Sequence, residues 1–168
     1  MGFKASSSVI TISNRLAEGG ANTFEELEVD LQLSPLDNEV FVVLALDVSP
    51  SAPDAIAATD TSTGMSVSTT SRTTVGYIGD NNVLGGGEST IKAAGFIDGG
   101  VAFQHFSGET PTANLDYIGI IATNNFFIQL KGDGNANAKT GSARMWGYRA
   151  RADASTYAAL VQSEVLSV

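Results

Sequence analysis

The stretch ELEVDLQL, residues 26–33, alternates polar and apolar side chains without a break. This two-residue period is that of a β-strand with one buried face and one wetted face. The run VFVVLALDV at residues 40–48 is almost continuously apolar, as expected of a central strand that is covered on both faces. Pro35 and Asp37 supply a turn between the two segments. We therefore expect the two segments to pair in the core of one sheet.

Turn-rich segments punctuate the rest of the chain and leave further strand-like segments at residues 65–71, 73–78, 89–97, 101–106, 115–123, 126–131 and 142–152. Asp153 can then cap a short helix in which Tyr157 and Val161 share a face. About eight strands at fairly regular spacing predict an all-β fold, an antiparallel two-sheet sandwich that is jelly-roll-like, with a short C-terminal helix. We expect a single domain over residues 1–168, with 1–22 as an N-terminal arm or edge strand and 153–168 as a helical tail.

The composition agrees with that class. The chain has 168 residues, of which 43% are hydrophobic and only 8% aromatic, together with 18 glycines. The hydrophobic residues are therefore enough to form one sizeable core, and the glycine content favours many short strands joined by turns over a helical bundle. The absence of cysteine excludes disulfides and thiolate sites. No apolar stretch is long enough for a membrane span or a secretory signal, so we predict neither.

Charge is plentiful and unevenly distributed. The net charge of −9 argues against a surface that wraps nucleic acid. Residues 1–60 contain ten acidic residues against Lys4 and Arg15, whereas residues 131–151 contain five basic residues against Asp133. Three interpretations stay open: solvated faces, neighbouring strands of opposite charge, or contacts between copies of the chain.

Motifs for catalysis and for cofactors are weak. His105 is the one histidine of the sequence, which leaves no recognisable hydrolytic triad. Residues 133–137 resemble the first half of a calcium loop, but Ala138 and Arg144 replace the required glycine and glutamate. The glycines at 85–87 lack the lysine of a phosphate-binding loop, which favours a flexible turn. We predict no enzyme, no metal and no cofactor, and a glycan-active enzyme with two facing carboxylates is the last-ranked alternative.

The segment 144–151 is the best candidate for contacts with a partner. In a strand, Arg144, Trp146 and Tyr148 share one face, whereas Arg149 and Arg151 share the other. Aromatic and arginine side chains are enriched at protein interfaces, and together they also stack on bases or sugars. Ordinary sheet packing, contact between subunits and ligand binding all remain open. The candidate intersubunit residues are Trp146, Tyr148, Arg149, Arg151 and, in the C-terminal tail, Tyr157.

With one β domain, acid-rich early strands, a basic late strand and long polar loops, the sequence resembles the small single-jelly-roll coat proteins of viruses. The resemblance implies a structural subunit of a large homo-oligomeric assembly, a virion shell, formed in the host cytoplasm from copies of itself and other virion proteins. It departs from many such proteins because Lys4 and Arg15 do not make a basic N-terminal arm. The alternatives are a decoration or turret protein, and a carbohydrate-binding β-sandwich with an exposed Trp146 or Tyr148.

Overall fold

The computed structural model describes residues 2–95, 97 and 115–167, and the backbone of 101–106. These residues form ten strands, a short 3-10 helix (Pro35–Asp37) and one α-helix. Sheet 1 has β1 (Phe3–Ala5) and β2 (Ile10–Ala17) along one edge of β10 (Thr140–Ala152), followed by β4 (Glu39–Pro50) and β8 (Gly119–Ile121). Sheet 2 runs in the order β3 (Glu25–Asp30), β9 (Asn125–Asp133), β5 (Thr61–Ser68), β6 (Val83–Lys92) and β7 (Val101–Phe106). Helix α1 (Ala154–Leu166) follows β10. Every strand pairing is antiparallel.

The strand connectivity is that of a jelly roll. When β1 and β7 are set aside, sheet 1 is ordered β2-β10-β4-β8 and sheet 2 is ordered β3-β9-β5-β6. The first of these eight strands thus pairs with the last, and the second with the seventh, which is the nested pairing of two Greek keys. The predicted antiparallel jelly-roll-like sandwich with a C-terminal helix is confirmed. The predicted pairing of residues 26–33 with 40–48 is wrong, because β3 and β4 lie in opposite sheets.

The core lies between the two sheets. Phe41 and Val43 of β4 point into it and meet Met65, Ile128 and Leu130 from sheet 2. All five side chains are at most 1% exposed. Burying an aliphatic or aromatic side chain of this size stabilises the folded state by about 1.5–3 kcal/mol. The alternate residues of β4, Val40 and Val42, point away from this core and are equally buried, which explains the continuous apolar run at 40–48.

Two predictions fail for local reasons. Residues 73–78 are not a strand: the Gly76 N–H donates to Ser66 Oγ of sheet 2 at 2.8 Å, and the Tyr77 N–H donates to the Asp80 carboxylate at 2.8 Å. The glycines at 85–87 lie inside β6 and do not form a turn. A Cβ on Gly86 would stand 2.5 Å from the carbonyl oxygen of Met65, so close strand packing requires glycine there.

The remaining predictions differ mainly in their bounds. β6 ends at Lys92 rather than at residue 97, and β8 covers 119–121 rather than 115–123. The backbone of β7 coincides with the predicted strand at 101–106. The hairpin turn predicted at 98–100 and the loop at 107–114 lie outside the described residues. The helix is capped as predicted, since the Asp153 side chain accepts a hydrogen bond from the Thr156 N–H.

Candidate assembly surface

The outer face of sheet 1, the side turned away from sheet 2, is divided into two halves. One half is covered by α1, whose side chains Tyr157, Leu160 and Val161 pack on the apolar residues Val40, Val42, Ala150 and Ala152. Tyr148 belongs to the same cluster. Tyr148 and Tyr157, two of the predicted intersubunit residues, are therefore half-buried in contacts within the chain.

A buried carboxylate near the C-terminal end of α1 binds the helix to the backbone that follows β8. Glu164 is 6% exposed and accepts hydrogen bonds from the backbone N–H groups of Ala122, at 3.0 Å, and Thr123, at 2.8 Å. Burial raises the pKa of Glu164 above its ordinary value, while these hydrogen bonds act in the opposite direction. The helix thus docks through a polar anchor as well as through its apolar face.

The other half of the outer face of sheet 1 is polar. Its exposed or half-buried side chains come from β2, β4 and β10 and form what we call the open face: Ser13, Arg15, Asp47, Ser49, Ser142, Arg144 and Trp146. The register places Arg144 directly between Ser13 on β2 and Asp47 on β4. Arg144 donates from Nε to Ser13 Oγ at 3.1 Å, and its guanidinium carbon lies 5.9 Å from the centroid of the Trp146 ring.

Three charged side chains stand on the open face. Within the part of the chain that the structure describes, Arg15, Asp47 and Arg144 form no ion pair. Charges of both signs thus stand on one exposed sheet surface beside a half-buried tryptophan. Such a surface can form ion pairs, hydrogen bonds and aromatic contacts with a second surface of similar composition.

The two other predicted arginines lie on the opposite side of β10, as the strand alternation requires. The Arg149 guanidinium donates to the carbonyl oxygens of Leu31, at 2.8 Å, and Gln32, at 3.1 Å, and lies 3.7 Å from Glu39. Arg149 therefore ties the connection after β3 to sheet 1. Arg151 is exposed at the rim, where it lies 3.9 Å from Asp37. The structure does not bring either arginine onto the open face with Trp146.

Sequence reasoning missed Arg15 and Asp47. Asp47 interrupts the apolar run at 40–48, and that interruption was a signal that the outer face of β4 becomes polar there. Arg15 could be assigned to this surface only once β2 was known to pair with β10, where Arg15 faces Ser142. That pairing joins the first and last strands of the jelly roll, and no local pattern encodes it.

Side chains within the chain bind the segment 133–137, which resembles half of a calcium loop in sequence. Asp54 accepts from the backbone N–H groups of Ala136, at 3.0 Å, and Asn137, at 2.9 Å, and it also binds the ammonium group of Lys139. The hydrogen bond from Lys139 contributes most to holding the pKa of Asp54 below its ordinary value. Asn135 is buried and bonds to Ser62 and Asn22. These contacts fix residues 134–139 as a structural loop at one end of the sandwich.

His105 lies in β7 with Glu88 as its register partner on β6. Among the described residues, no group of three or more histidine, aspartate or glutamate side chains is placed to hold a metal ion. No helix in the described part of the chain is long and apolar enough to cross a membrane.

Comparison with known proteins assigns no family. No family model matches the chain, and no curated protein matches its sequence. A solved structure from Desmodium yellow mottle tymovirus is similar to the chain at 13% sequence identity and a TM-score of 0.33, over 88% of this chain and 91% of that one. A likeness at that identity and TM-score does not establish a shared function.

Proposed function

We propose that the chain is a non-enzymatic structural subunit of a symmetric homo-oligomer, and that the open face of sheet 1 is an interface between copies. The observation that carries the proposal is the set of opposite charges on that face that form no ion pair with any described residue. Arg144 and Asp47 are register partners on adjacent strands, where side chains stand about 5 Å apart at Cβ, yet they form no ion pair with one another.

A two-fold axis through the open face would pair these charges between copies. In such an interface the same patch meets itself, so Arg144 of one copy reaches Asp47 of the other and the reverse pair forms by symmetry. Trp146, beside Arg144, would supply the large contact area that aromatic residues bring to the centre of an interface. A face that is polar and of mixed charge suits this arrangement better than contact with a polyanion, because Asp47 would repel phosphates.

The finer proposal is that the assembly is a viral shell. Jelly-roll sandwiches are used by capsid subunits and also by lectins, so the fold alone does not decide between them. The resemblance of the sequence to small coat proteins favours the shell, with other virion proteins as further partners and with assembly in the host cytoplasm. The net charge of −9 implies weak contact with the genome at most.

Charge exchange tests the interface directly. We would prepare Asp47→Arg, Arg144→Asp and the double variant, and measure their masses by light scattering against the 17.4 kDa of one chain. Each single variant places like charges opposite one another and should shift the protein towards the monomer, whereas the double variant restores both pairs and should assemble again. Lys131→Glu, on the outer face of sheet 2, is the matched control and should assemble normally.

Single variants that assemble as well as the unmodified chain would refute the proposed interface. A monomer of the unmodified chain at high concentration would refute self-assembly itself. Trp146→Ala is a second probe, since it removes contact area without a charge change. Arg149 is unsuitable for this purpose, because its hydrogen bonds to Leu31 and Gln32 stabilise the fold.

A further inference from the structure

The connection between β5 and β6, residues 69–82, lies over the outer face of sheet 2 as a strap. Besides the hydrogen bond from Gly76 to Ser66, the Arg72 N–H donates to Glu26 Oε2 at 2.8 Å. The strap is braced within itself, because Asp80 accepts from the Arg72 guanidinium at 3.0 Å and from the Tyr77 N–H at 2.8 Å. These bonds hold the strap in a defined position against the sheet.

A cleft of about 630 Å³ lies between the strap and the sheet. The residues that line it include two aromatic residues, three charged residues and a glycine of the central strand: Phe24, Tyr77, Glu88, Lys131, Asp133 and Gly64. The volume is within the range of small-molecule sites, which are typically apolar with a few polar groups that orient the ligand.

Gly64 gives the cleft its depth. It is the register partner of both Lys131 on β9 and Glu88 on β6, so the two charged residues flank it across adjacent strands. With strands about 4.8 Å apart, their backbones stand roughly 10 Å from one another. A Cβ on Gly64 would meet no atom closer than 3.7 Å, so the glycine leaves open space that a larger side chain would fill.

The polar groups of the cleft have capacity to bind a ligand. Within the described residues, Lys131 and Asp133 form no ion pair or side-chain hydrogen bond. Among the described residues, Glu88 accepts one side-chain hydrogen bond, from Thr90 Oγ1 at 3.0 Å. Above them the Tyr77 side chain is 69% exposed, although an aromatic ring of that size is usually better covered.

These groups restrict the chemistry of the ligand. A polyanion is disfavoured by the two carboxylates of the cleft and by the net charge of −9. A purely apolar ligand is disfavoured because it would desolvate Lys131 and Asp133 without replacing their hydrogen bonds. A neutral polyhydroxyl ligand meets both conditions, because its hydroxyls bind the charged groups while the apolar face of a sugar ring stacks on tyrosine. We propose that this cleft binds a short neutral oligosaccharide.

The test is isothermal titration calorimetry of the protein with maltotriose, cellotriose and chitotriose, each up to about 10 mM, a range that detects affinities near 1 mM. Saturable binding of one or more trisaccharides is expected, and the measurement does not depend on the size of the assembly. Tyr77→Ala should weaken that binding about tenfold, as the loss of an aromatic contact implies. Gly64→Leu should abolish it by filling the cleft.

Lys4→Ala is the control and should bind the sugar as well as the unmodified chain, since Lys4 is exposed on β1 of the other sheet and belongs to neither proposed site. Lys131→Met, an exposed substitution, should also weaken binding and covers the case in which Gly64→Leu fails to fold. Absence of saturable binding with all three sugars, or binding that Tyr77→Ala leaves unchanged, would overturn the proposal. Light scattering on Tyr77→Ala should show unchanged assembly, which separates this result from that of the proposed interface.

Discussion

Gly147 of β10 is a position where one added methyl group should measurably destabilise the sandwich. A Cβ built there would stand 2.3 Å from the carbonyl oxygen of Val42 and 2.5 Å from a ring carbon of Phe41. Neither neighbour can yield easily, because Val42 belongs to the adjacent strand and Phe41 is 0% exposed in the core. Gly147→Ala must therefore shift the backbone of β10 or displace the aromatic ring.

Over-packing of this kind costs about 1–3 kcal/mol of the free energy of unfolding. For a chain of this length each kcal/mol lowers the melting temperature by roughly 2–4 °C, so the expected decrease is on the order of 2–12 °C. The matched control is Gly79→Ala, since a Cβ on Gly79 meets no atom within 4 Å. That variant should be neutral or more stable by about 0.4–1 kcal/mol, because alanine restricts the unfolded chain.

Urea unfolding followed by circular dichroism, at one fixed protein concentration, measures both variants on the same scale. The concentration must be fixed because association contributes to apparent stability. Equal unfolding midpoints for Gly147→Ala and Gly79→Ala would refute the close approach of β10 to β4 at this point. A midpoint that falls only for Gly147→Ala would confirm it.

Two further predictions concern buried polar side chains. Gln129 is 0% exposed and bonds to Ser66, Ser68 and Glu26, so Gln129→Ala should cost about 2–4 kcal/mol in urea unfolding by leaving these groups unsatisfied; a cost no larger than that of a surface substitution would contradict the network. Because burial raises the pKa of Glu164, the folded state binds that proton more tightly, and stability should rise as pH falls from about 7 towards the ordinary value of 4.5. Glu164→Gln should lose this component of the pH dependence, and identical pH profiles of the two proteins would contradict it.

The strands that could be predicted are those whose sequence carries the burial pattern directly. β3 alternates because one face is wetted, and β4 is continuously apolar because the helix covers its outer face and sheet 2 its inner face. The predicted position of β6 is several residues too far along the chain, because its three glycines look like a turn in isolation. Gly86 is in fact required inside the strand, because a side chain there would collide with the backbone of Met65. Residues 73–78 alternate like a strand, but the Gly76 N–H binds the Ser66 side chain of sheet 2, a contact that only the tertiary structure specifies.

The candidate assembly surface was predicted in part for the same reason. Strand alternation alone placed Trp146 and Arg144 on one face of β10 and Arg149 on the other. It could not show that the Arg149 guanidinium donates hydrogen bonds to the carbonyl oxygens of the connection after β3. Nor could it show that Arg15 joins Arg144, since that requires the pairing of β2 with β10, whose paired residues are separated by more than 120 positions in the chain.

The boundary between the two halves of the outer face of sheet 1 follows a change of polarity along β4 and β10. On β4 the outward residues change from Val40 and Val42, beneath the helix, to Asp47 and Ser49. On β10 the change occurs at Trp146, the residue between the apolar part under the helix and the charged Arg144. Since the helix already covers the apolar half, burial of apolar surface does not require a second copy of the chain. An interface on the open face must therefore draw its specificity from charge and from Trp146, and for that reason charge exchange can both break and restore it.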